Sequence, residues 1–198
     1  MPKKTLLVNN YLRNSTRINR LNKEITRITG REPQIIRITD ALRVNSDEFD
    51  AVILSGGDAP LNQPEVVADY REATTWLSHI QRPILGICLG HQLLGLAHGG
   101  RIARIAERFE GFYEVEVIEQ DELLTGLPNR IRVYKSNIRV VARLMPGFKL
   151  LARSSEYEVE AFKHQKQPVF GVQFHPENYT DTDRDGLKIL ENFFHTLR

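Results

Sequence analysis

Short, nearly continuous apolar runs alternate with longer amphipathic segments through the first half of the chain. The apolar runs have the length of strands, and the segments between them repeat apolar residues every three or four positions, which indicates helices. Strands apolar along their whole length are typical of a parallel sheet covered on both faces. We therefore expect an α/β fold with a doubly wound, mostly parallel sheet and helices on both faces. The predicted strands are 5–9, 34–38, 51–54 and 83–87, and the predicted helices are 15–29, 64–79 and 92–97.

The first predicted helix has two distinct faces. Asn14 or Ser15 is suited to its N-cap, and Gly30 follows its last residue. Its apolar positions are Ile18, Leu21, Ile25 and Ile28, and its arginine stripe is Arg13, Arg17, Arg20, Arg27 and Arg31. A basic stripe of this kind is either a solvated face or a docking face for an acidic partner. A second basic segment, residues 130–143, is open to the same two interpretations.

The second half changes from helical periodicity to strand-like segments joined by turns. We expect antiparallel strands added to the edge of the parallel sheet. Thr182 is suited to cap a final helix, 183–197, that packs back on the sheet. The predicted strands are 101–106, 113–118, 131–134, 149–152, 159–163 and 169–174, and the apolar positions of the helix are Leu187, Leu190, Phe193 and Phe194.

Composition sets limits on the class of protein. With 198 residues, 41% hydrophobic and 26% charged, the chain has the size and apolar content of a single folded domain, 1–198. A net charge of +2 gives little general attraction to nucleic acid. The apolar runs are far shorter than the roughly 18 residues that span a bilayer. We expect a cytoplasmic protein without a nucleic-acid or membrane partner.

The single cysteine lies in the segment most suggestive of chemistry. A lone cysteine between apolar residues is commonly a small buried hydrophobe. Here Gly86 and Gly90 flank Cys88 at two-residue spacing, with a predicted strand before it and a predicted helix after it. This order is a thiol version of the strand-turn-helix elbow that presents a nucleophile, in which a side chain at either glycine would collide with the turn. The helix N-terminus that follows favours the thiolate. Cys88 is therefore predicted to be the nucleophile.

A histidine follows the last predicted strand as the cysteine follows the fourth. His175 stands at the end of this strand, and Glu177 comes two residues later, after Pro176. Imidazole can keep a thiol deprotonated and later protonate a leaving amine. The carboxylate can orient and charge-stabilise the ring, so we predict a Cys88–His175–Glu177 triad.

Cofactor chemistry finds no motif in this sequence. There is no GxxxxGK[ST] phosphate loop and no GxGxxG after a first strand, and one cysteine excludes a multi-cysteine zinc site. Gly56 and Gly57, at the end of the third strand, can bring backbone N–H groups close to a ligand. We expect neither a metal nor another cofactor.

Two motifs resemble those of the class I, or triad-type, glutamine amidotransferases. The G-x-C-x-G-x-Q motif of that family reads GICLGHQ at 86–92, and its F-H-P-E motif reads FHPE at 174–177. The resemblance extends over nearly the whole chain, through Ser55-Gly56-Gly57, Gly99-Gly100 and the ERFEG segment at 107–111. It implies a flavodoxin-like fold and hydrolysis of the side-chain amide of L-glutamine by way of a glutamyl thioester. It also implies an oxyanion hole from the backbone N–H groups of Gly57 and Leu89, and substrate contacts at Gly56, Gln92, Ser136 and Asn137.

Within this family the chain most resembles the separate glutaminase subunit of two-subunit GMP synthases. That branch implies transfer of ammonia to a separate ATP-dependent synthetase subunit, for GMP synthesis from XMP. Such subunits usually carry a W-x-S-H-G-D segment, where this chain reads YKSNIR at 134–139, so Asn137 and Arg139 replace the histidine and the aspartate. Asp58 also stands where a proline commonly follows the two glycines. These departures leave open a γ-glutamyl hydrolase acting on another substrate, and a catalytically inactive regulatory module is a third possibility.

Overall fold

The computed structural model describes residues 3–11 and 16–197, and these residues form one nine-stranded mixed sheet. The parallel strands are β1 (Thr5–Asn9), β2 (Gln34–Arg37), β3 (Ala51–Leu54), β4 (Ile84–Ile87) and β9 (Val169–Val172). The antiparallel part consists of β5 (Ile102–Val117), β6 (Arg130–Val141), β7 (Phe148–Arg153) and β8 (Ala161–His164). The strand order is β2-β1-β3-β4-β9-β8-β7-β5-β6, which confirms the predicted parallel sheet with antiparallel strands at its edge.

Alternating strand residues place a hydrophobic core on each face of the sheet. In β1, Leu7 points into one core, while Leu6 and Val8 point into the other, as the period of two in a strand requires. One core packs against α1 (Arg17–Thr29) and α5 (Asp185–His195). The other packs against α3 (Arg71–His79) and α4 (Leu89–Ala97). Helices therefore cover both faces, as predicted.

The helix predicted over 64–79 is wrong as one element, because it breaks into α2 (Pro64–Asp69) and α3 at Tyr70. Tyr70 has φ −94° and ψ 4°, which lies outside the helical region, and its ring is buried. The turn thus aims the ring into the core while the residues of α2 stay outside it.

Helix ends follow the sequence signals in part. Gly30 adopts a left-handed conformation with φ 71° and donates its N–H to Thr26, so it ends α1 as predicted. The proposed caps Asn14 and Ser15 lie outside the described residues. The prediction that Thr182 caps the last helix is wrong, because α5 begins at Asp185 and the Thr182 hydroxyl donates to Asp183 Oδ2 at 3.0 Å instead.

Two strands predicted separately, 101–106 and 113–118, are one long strand, β5. It pairs antiparallel with β6, and the register shifts between Arg104 and Phe109. The polar stretch between the two predicted strands hid this continuity, because most of the middle of β5 is exposed or half-buried and lacks a regular apolar alternation. The long β5–β6 pair carries residues 134–139 to the region of Cys88.

Candidate active site

The backbone at Cys88 has the geometry of a strained elbow. Cys88 adopts φ 51° and ψ −100°, and it is the one described non-glycine residue with a positive φ. A Cβ at Gly86 would lie 2.5 Å from the Gly90 carbonyl oxygen, and one at Gly90 would lie 2.5 Å from Leu54 Cβ. Both positions therefore require glycine, as the sequence predicts. Strain held in place by such packing is characteristic of functional residues.

The last parallel strand brings the histidine to the cysteine. β9 lies beside β4, and the Cys88 N–H donates to the Val172 carbonyl at 2.9 Å. The chain continues to His175, whose N–H donates to the Tyr134 carbonyl at 2.8 Å. The His175 ring is hydrogen-bonded to the Cys88 side chain and, through Nδ1, to Glu177 Oε1 at 2.8 Å. The three residues of the predicted triad thus lie together in one buried cluster.

The charge of His175 is set by its two neighbours. Burial of the ring opposes protonation, but the charges and hydrogen bonds of Glu177 and Cys88 outweigh it, so the pKa of His175 lies well above its usual value. Since Glu177 occupies Nδ1, the other ring nitrogen is left for the sulfur. The arrangement favours a protonated ring beside a thiolate.

Gly56 lies directly against the His175 ring. A Cβ at Gly56 would lie 2.6 Å from His175 Cε1 and 3.0 Å from the Tyr11 hydroxyl oxygen. Burial raises the pKa of Tyr11, and the nearby charges of Glu177 and Cys88 raise it further, so its hydroxyl stays neutral. Gly56 therefore lets the base sit close to the end of β3, and a contact between Gly56 and substrate stays a prediction.

A cavity of about 120 Å³ opens beside the sulfur. Gly57 packs so closely on the elbow helix that a Cβ there would lie 2.5 Å from Leu89 Cδ2. The cavity therefore brings together most of the residues that the sequence assigned to the oxyanion hole and the substrate. Its lining includes Gly57, Cys88, Leu89, Gln92, Ser136 and Asn137.

The predicted substrate residues on β6 are held by their neighbours. The Ser136 carbonyl oxygen lies 4.0 Å from Cys88 Sγ, and its hydroxyl donates to Glu110 Oε2 at 2.9 Å. Asn137 accepts a hydrogen bond from the Tyr157 hydroxyl at 3.4 Å. This part of β6 therefore presents fixed backbone to the cavity beside the sulfur.

Arg139, which replaces an acidic residue of the family motif, lines the same cavity together with Arg108. Its Nε donates to Asn62 Oδ1 at 2.6 Å. Burial lowers the pKa of Arg139, and the guanidinium groups of Arg104 and Arg108 lower it further. The replacement thus makes this end of the cavity electropositive.

Glu110 forms a small polar network at the mouth of the site. The hydroxyl of Tyr134 donates to its Oε1 at 2.8 Å, and Arg108 Nε lies 3.3 Å from its Oε2. Partial burial works against ionisation, but the hydrogen bonds from Tyr134, Ser136 and Arg108 lower the pKa of Glu110 overall. The ERFEG segment thereby fixes residues 134–136 beside the cavity.

Sequence reasoning missed Gln173, which is fully buried and donates through Nε2 to Cys88 Sγ at 3.7 Å. Gln92, predicted to hold the substrate, donates through Nε2 to the Arg139 carbonyl at 2.9 Å and to Gln173 Oε1 at 3.3 Å. A signal for Gln173 was present, because it stands two residues before His175 in an extended segment, where side chains share a face.

The described arginines of the two basic segments have partners within the chain at several positions. Arg17 pairs with Asp58 at 3.4 Å, and Arg20 donates to the Tyr179 carbonyl. Arg27 pairs with Glu24 at 2.9 Å, and Arg132 pairs with Asp183 at 2.8 Å. Arg13 lies outside the described residues. These contacts give the arginines a structural role, and a docking role for either segment stays a prediction.

Metal sites and membrane spans can be assessed over residues 3–11 and 16–197. These residues contain no group of three or more His, Cys, Asp or Glu side chains that could hold a metal ion. Among their helices, none combines the length and apolar character needed to cross a bilayer.

Comparison with known proteins places the same residues in a wider context. The model of the family described as glutamine amidotransferase class-I matches residues 6–197. The glutamine-hydrolysing GMP synthase subunit of Methanosarcina acetivorans is 39% identical over 191 residues, covering 96% of this chain and 95% of that protein. The corresponding subunit of Pyrococcus abyssi is 38% identical, covering 84% of this chain and 86% of that protein. The crystal structure of a glutamine amidotransferase from Thermotoga maritima shares the fold, with a TM-score of 0.79, 18% identity and 98% coverage of both chains.

Proposed function

Since the chain belongs to the class I glutamine amidotransferase family, we propose that it hydrolyses the side-chain amide of L-glutamine and supplies the ammonia to a separate synthetase subunit. The observation that carries the proposal is the contact between Cys88, on its strained elbow, and His175, which is bound to Glu177. The relatives named as glutamine-hydrolysing subunits of GMP synthases favour GMP synthesis from XMP as the amination that uses this ammonia.

The first half of the reaction forms a glutamyl thioester. The Cys88 thiolate attacks the amide carbon of glutamine, and the carbonyl electrons move to the oxygen. Backbone N–H groups of Gly57 and Leu89, both beside the cavity, would stabilise that oxyanion by about 3 kcal/mol each. Protonated His175 then gives its proton to the leaving nitrogen, and ammonia departs as the carbonyl re-forms.

The second half releases glutamate. Neutral His175 takes a proton from water, the resulting hydroxide attacks the thioester carbon, and the thiolate leaves. Glu177, 2.8 Å from Nδ1, holds the ring in one orientation and stabilises its charged form in both halves. The products are glutamate and ammonia, and the enzyme returns to its thiolate–imidazolium state.

Binding of the amino-acid end of glutamine is assigned to the residues around the cavity. Gln92 lines the cavity, and among the described residues none hydrogen-bonds its buried Oε1. That oxygen can accept a hydrogen bond from the substrate ammonium group. The positive charges of Arg108 and Arg139 at the cavity suit the substrate carboxylate. Ser136 and Asn137 complete the wall from β6.

The proposal includes a partner that uses ATP, because amination of an oxygen-bearing carbon needs an activated acceptor. Ammonia released to bulk water is diluted and protonated, so docking to this synthetase subunit is expected to gate hydrolysis. We propose the cytoplasm as the compartment, since a reducing environment preserves the Cys88 thiol.

The test is a coupled assay with the purified chain. Glutamate formation from L-glutamine is measured alone, and then with the synthetase subunit from the same host, ATP and XMP. We expect slow hydrolysis alone and strong stimulation in the complete mixture, with GMP formed in step with glutamate. Release of glutamate only from γ-glutamyl conjugates would favour a γ-glutamyl hydrolase, and absence of glutamate in every mixture would overturn the proposal.

A further inference from the structure

A chain of buried amide groups leads from the β6 backbone to the sulfur. The Arg139 carbonyl accepts from Gln92 Nε2 at 2.9 Å, and the same nitrogen lies 3.3 Å from Gln173 Oε1. Gln173 Nε2 then donates to Cys88 Sγ at 3.7 Å. Gln173 is fully buried and Gln92 is 3% exposed, so both amides are shielded from water.

The orientation of the Gln173 amide follows from this chain. An amide can present either its oxygen or its NH₂ group to a neighbour. Gln92 directs an N–H toward Gln173 Oε1, so the NH₂ group of Gln173 is the end that faces the sulfur. An N–H donor beside sulfur favours the thiolate over the thiol, because a hydrogen bond to the charged form is stronger than one to the neutral form.

We propose that Gln173 is a positioning residue that holds the Cys88 sulfur as a thiolate aimed at the cavity, and that Gln92 keeps its amide in the required orientation. This role rests on the proposed glutaminase chemistry for its purpose, although not for its test. His175 and Gln173 then contact the sulfur as two separate donors. Only His175 transfers a proton during turnover.

The geometry also couples substrate binding to the sulfur. A glutamine ammonium group bound to Gln92 Oε1 would polarise that amide and strengthen its N–H bond to Gln173. Hydrogen bonds in such chains reinforce one another when they are shielded from water. Occupation of the cavity would thus stabilise the thiolate at the moment when it is needed.

The test uses alkylation of Cys88 by iodoacetamide, which reports the thiolate without any glutamine. Its rate is measured against pH for the wild-type protein, for Gln173→Met and for the near-isosteric Gln173→Glu, after thermal melts show that the variants fold. We expect the midpoint of the alkylation profile to move up by about one pH unit in Gln173→Met. Gln173→Glu should move it further, since a carboxylate there repels the thiolate.

Steady-state kinetics provides the second measurement. Gln173→Met should lower kcat for glutamine hydrolysis near neutral pH by about tenfold, with KM within about twofold of the wild-type value. The control is Asn192→Leu, because Asn192 is a buried amide bonded to the Leu123 and Thr125 carbonyls, outside the sulfur's surroundings. It should lower the melting temperature and leave the alkylation profile unchanged.

The outcomes separate this role from the proposed function. Wild-type alkylation profiles in folded Gln173→Met and Gln173→Glu would overturn the assignment of Gln173, whatever the chain does with glutamine. Shifted profiles in a chain that fails to hydrolyse glutamine would support the role of Gln173 and refute the glutaminase proposal. A shift of equal size in Asn192→Leu would mean that general loosening moves the profile, and would also overturn the assignment.

Discussion

Replacing Glu177 by glutamine removes one charge from the site while keeping nearly the same side-chain shape. In the native site the carboxylate lies 2.8 Å from His175 Nδ1, and both side chains are at least nine-tenths buried. Glutamine can still accept a hydrogen bond from the ring, but it cannot offset the positive charge. The pKa of His175 should therefore fall, and the thiolate–imidazolium pair should become less favourable.

The size of the effect follows from the distance. Two unit charges 2.8 Å apart attract by about 6 kcal/mol at an effective dielectric constant of about 20. The imidazolium charge is spread over the ring and the amide keeps a hydrogen bond, so we take about half of this value, ~3 kcal/mol, as lost. That loss corresponds to a fall in kcat of about a hundredfold. His175→Asn removes the proton donor itself and should cost several orders of magnitude.

The assay is glutamate formation over about pH 6–9 for the wild-type protein and the two variants. Glu191→Gln serves as the matched control, because Glu191 pairs with Arg27 at 3.2 Å on the helical face and should leave kcat unchanged. A kcat for Glu177→Gln close to the wild-type value at every pH would refute the reasoning. Equal losses in Glu177→Gln and His175→Asn would also refute it, because the two residues would then lack the distinct roles assigned to them.

Three further predictions concern the elbow and its helix. Cys88→Ala should fold and lose glutamine hydrolysis, while Cys88→Gly should be more stable than Cys88→Ala by about 1 kcal/mol in urea unfolding, because glycine relieves the positive φ; hydrolysis by Cys88→Ala would exclude Cys88 as the nucleophile. Gly90→Ala should cost about 1–3 kcal/mol of stability and lower kcat, because its Cβ would lie 2.5 Å from Leu54 Cβ, and an unchanged melting temperature would contradict the packing described. Burial lowers the pKa of His91 to about 3, so the unfolded chain takes up the proton first as pH falls, and the wild-type protein should lose about 2 kcal/mol between about pH 7 and 5 from this group. His91→Asn should lack that loss in urea unfolding at the two pH values, and equal losses in both proteins would show that His91 does not titrate as described.

The sequence was sufficient for the parallel strands and the elbow because these depend on local signals. An apolar run such as 51–54 followed by glycines, and glycines on both sides of Cys88, each specify a conformation within a few residues. The sequence alone could not show that β9 lies beside β4, because sheet order depends on pairings between distant segments. The resemblance in the FHPE segment at 174–177 supplied that link to the cysteine.

Contacts made by side chains across the sheet were harder to predict. Gln173 and Gln92 are 81 positions apart, and their hydrogen bond exists only because α4 and β9 meet at the sulfur. The length of β5 was missed for a different reason, since its exposed middle lacks alternation and is held by pairing with β6. The break at Tyr70 depends on burial of one ring, which helical periodicity does not reveal.

The place of β9 between β4 and β8 has a consequence for protein synthesis. A ribosome completes β4 and the elbow roughly eighty residues before it reaches the histidine, at about 5–20 residues per second. During those seconds the nascent chain carries a cysteine without its acid–base partner. Insertion of β9 into the waiting gap then completes the sheet and the catalytic cluster in one step, so an unfinished chain cannot waste cellular glutamine.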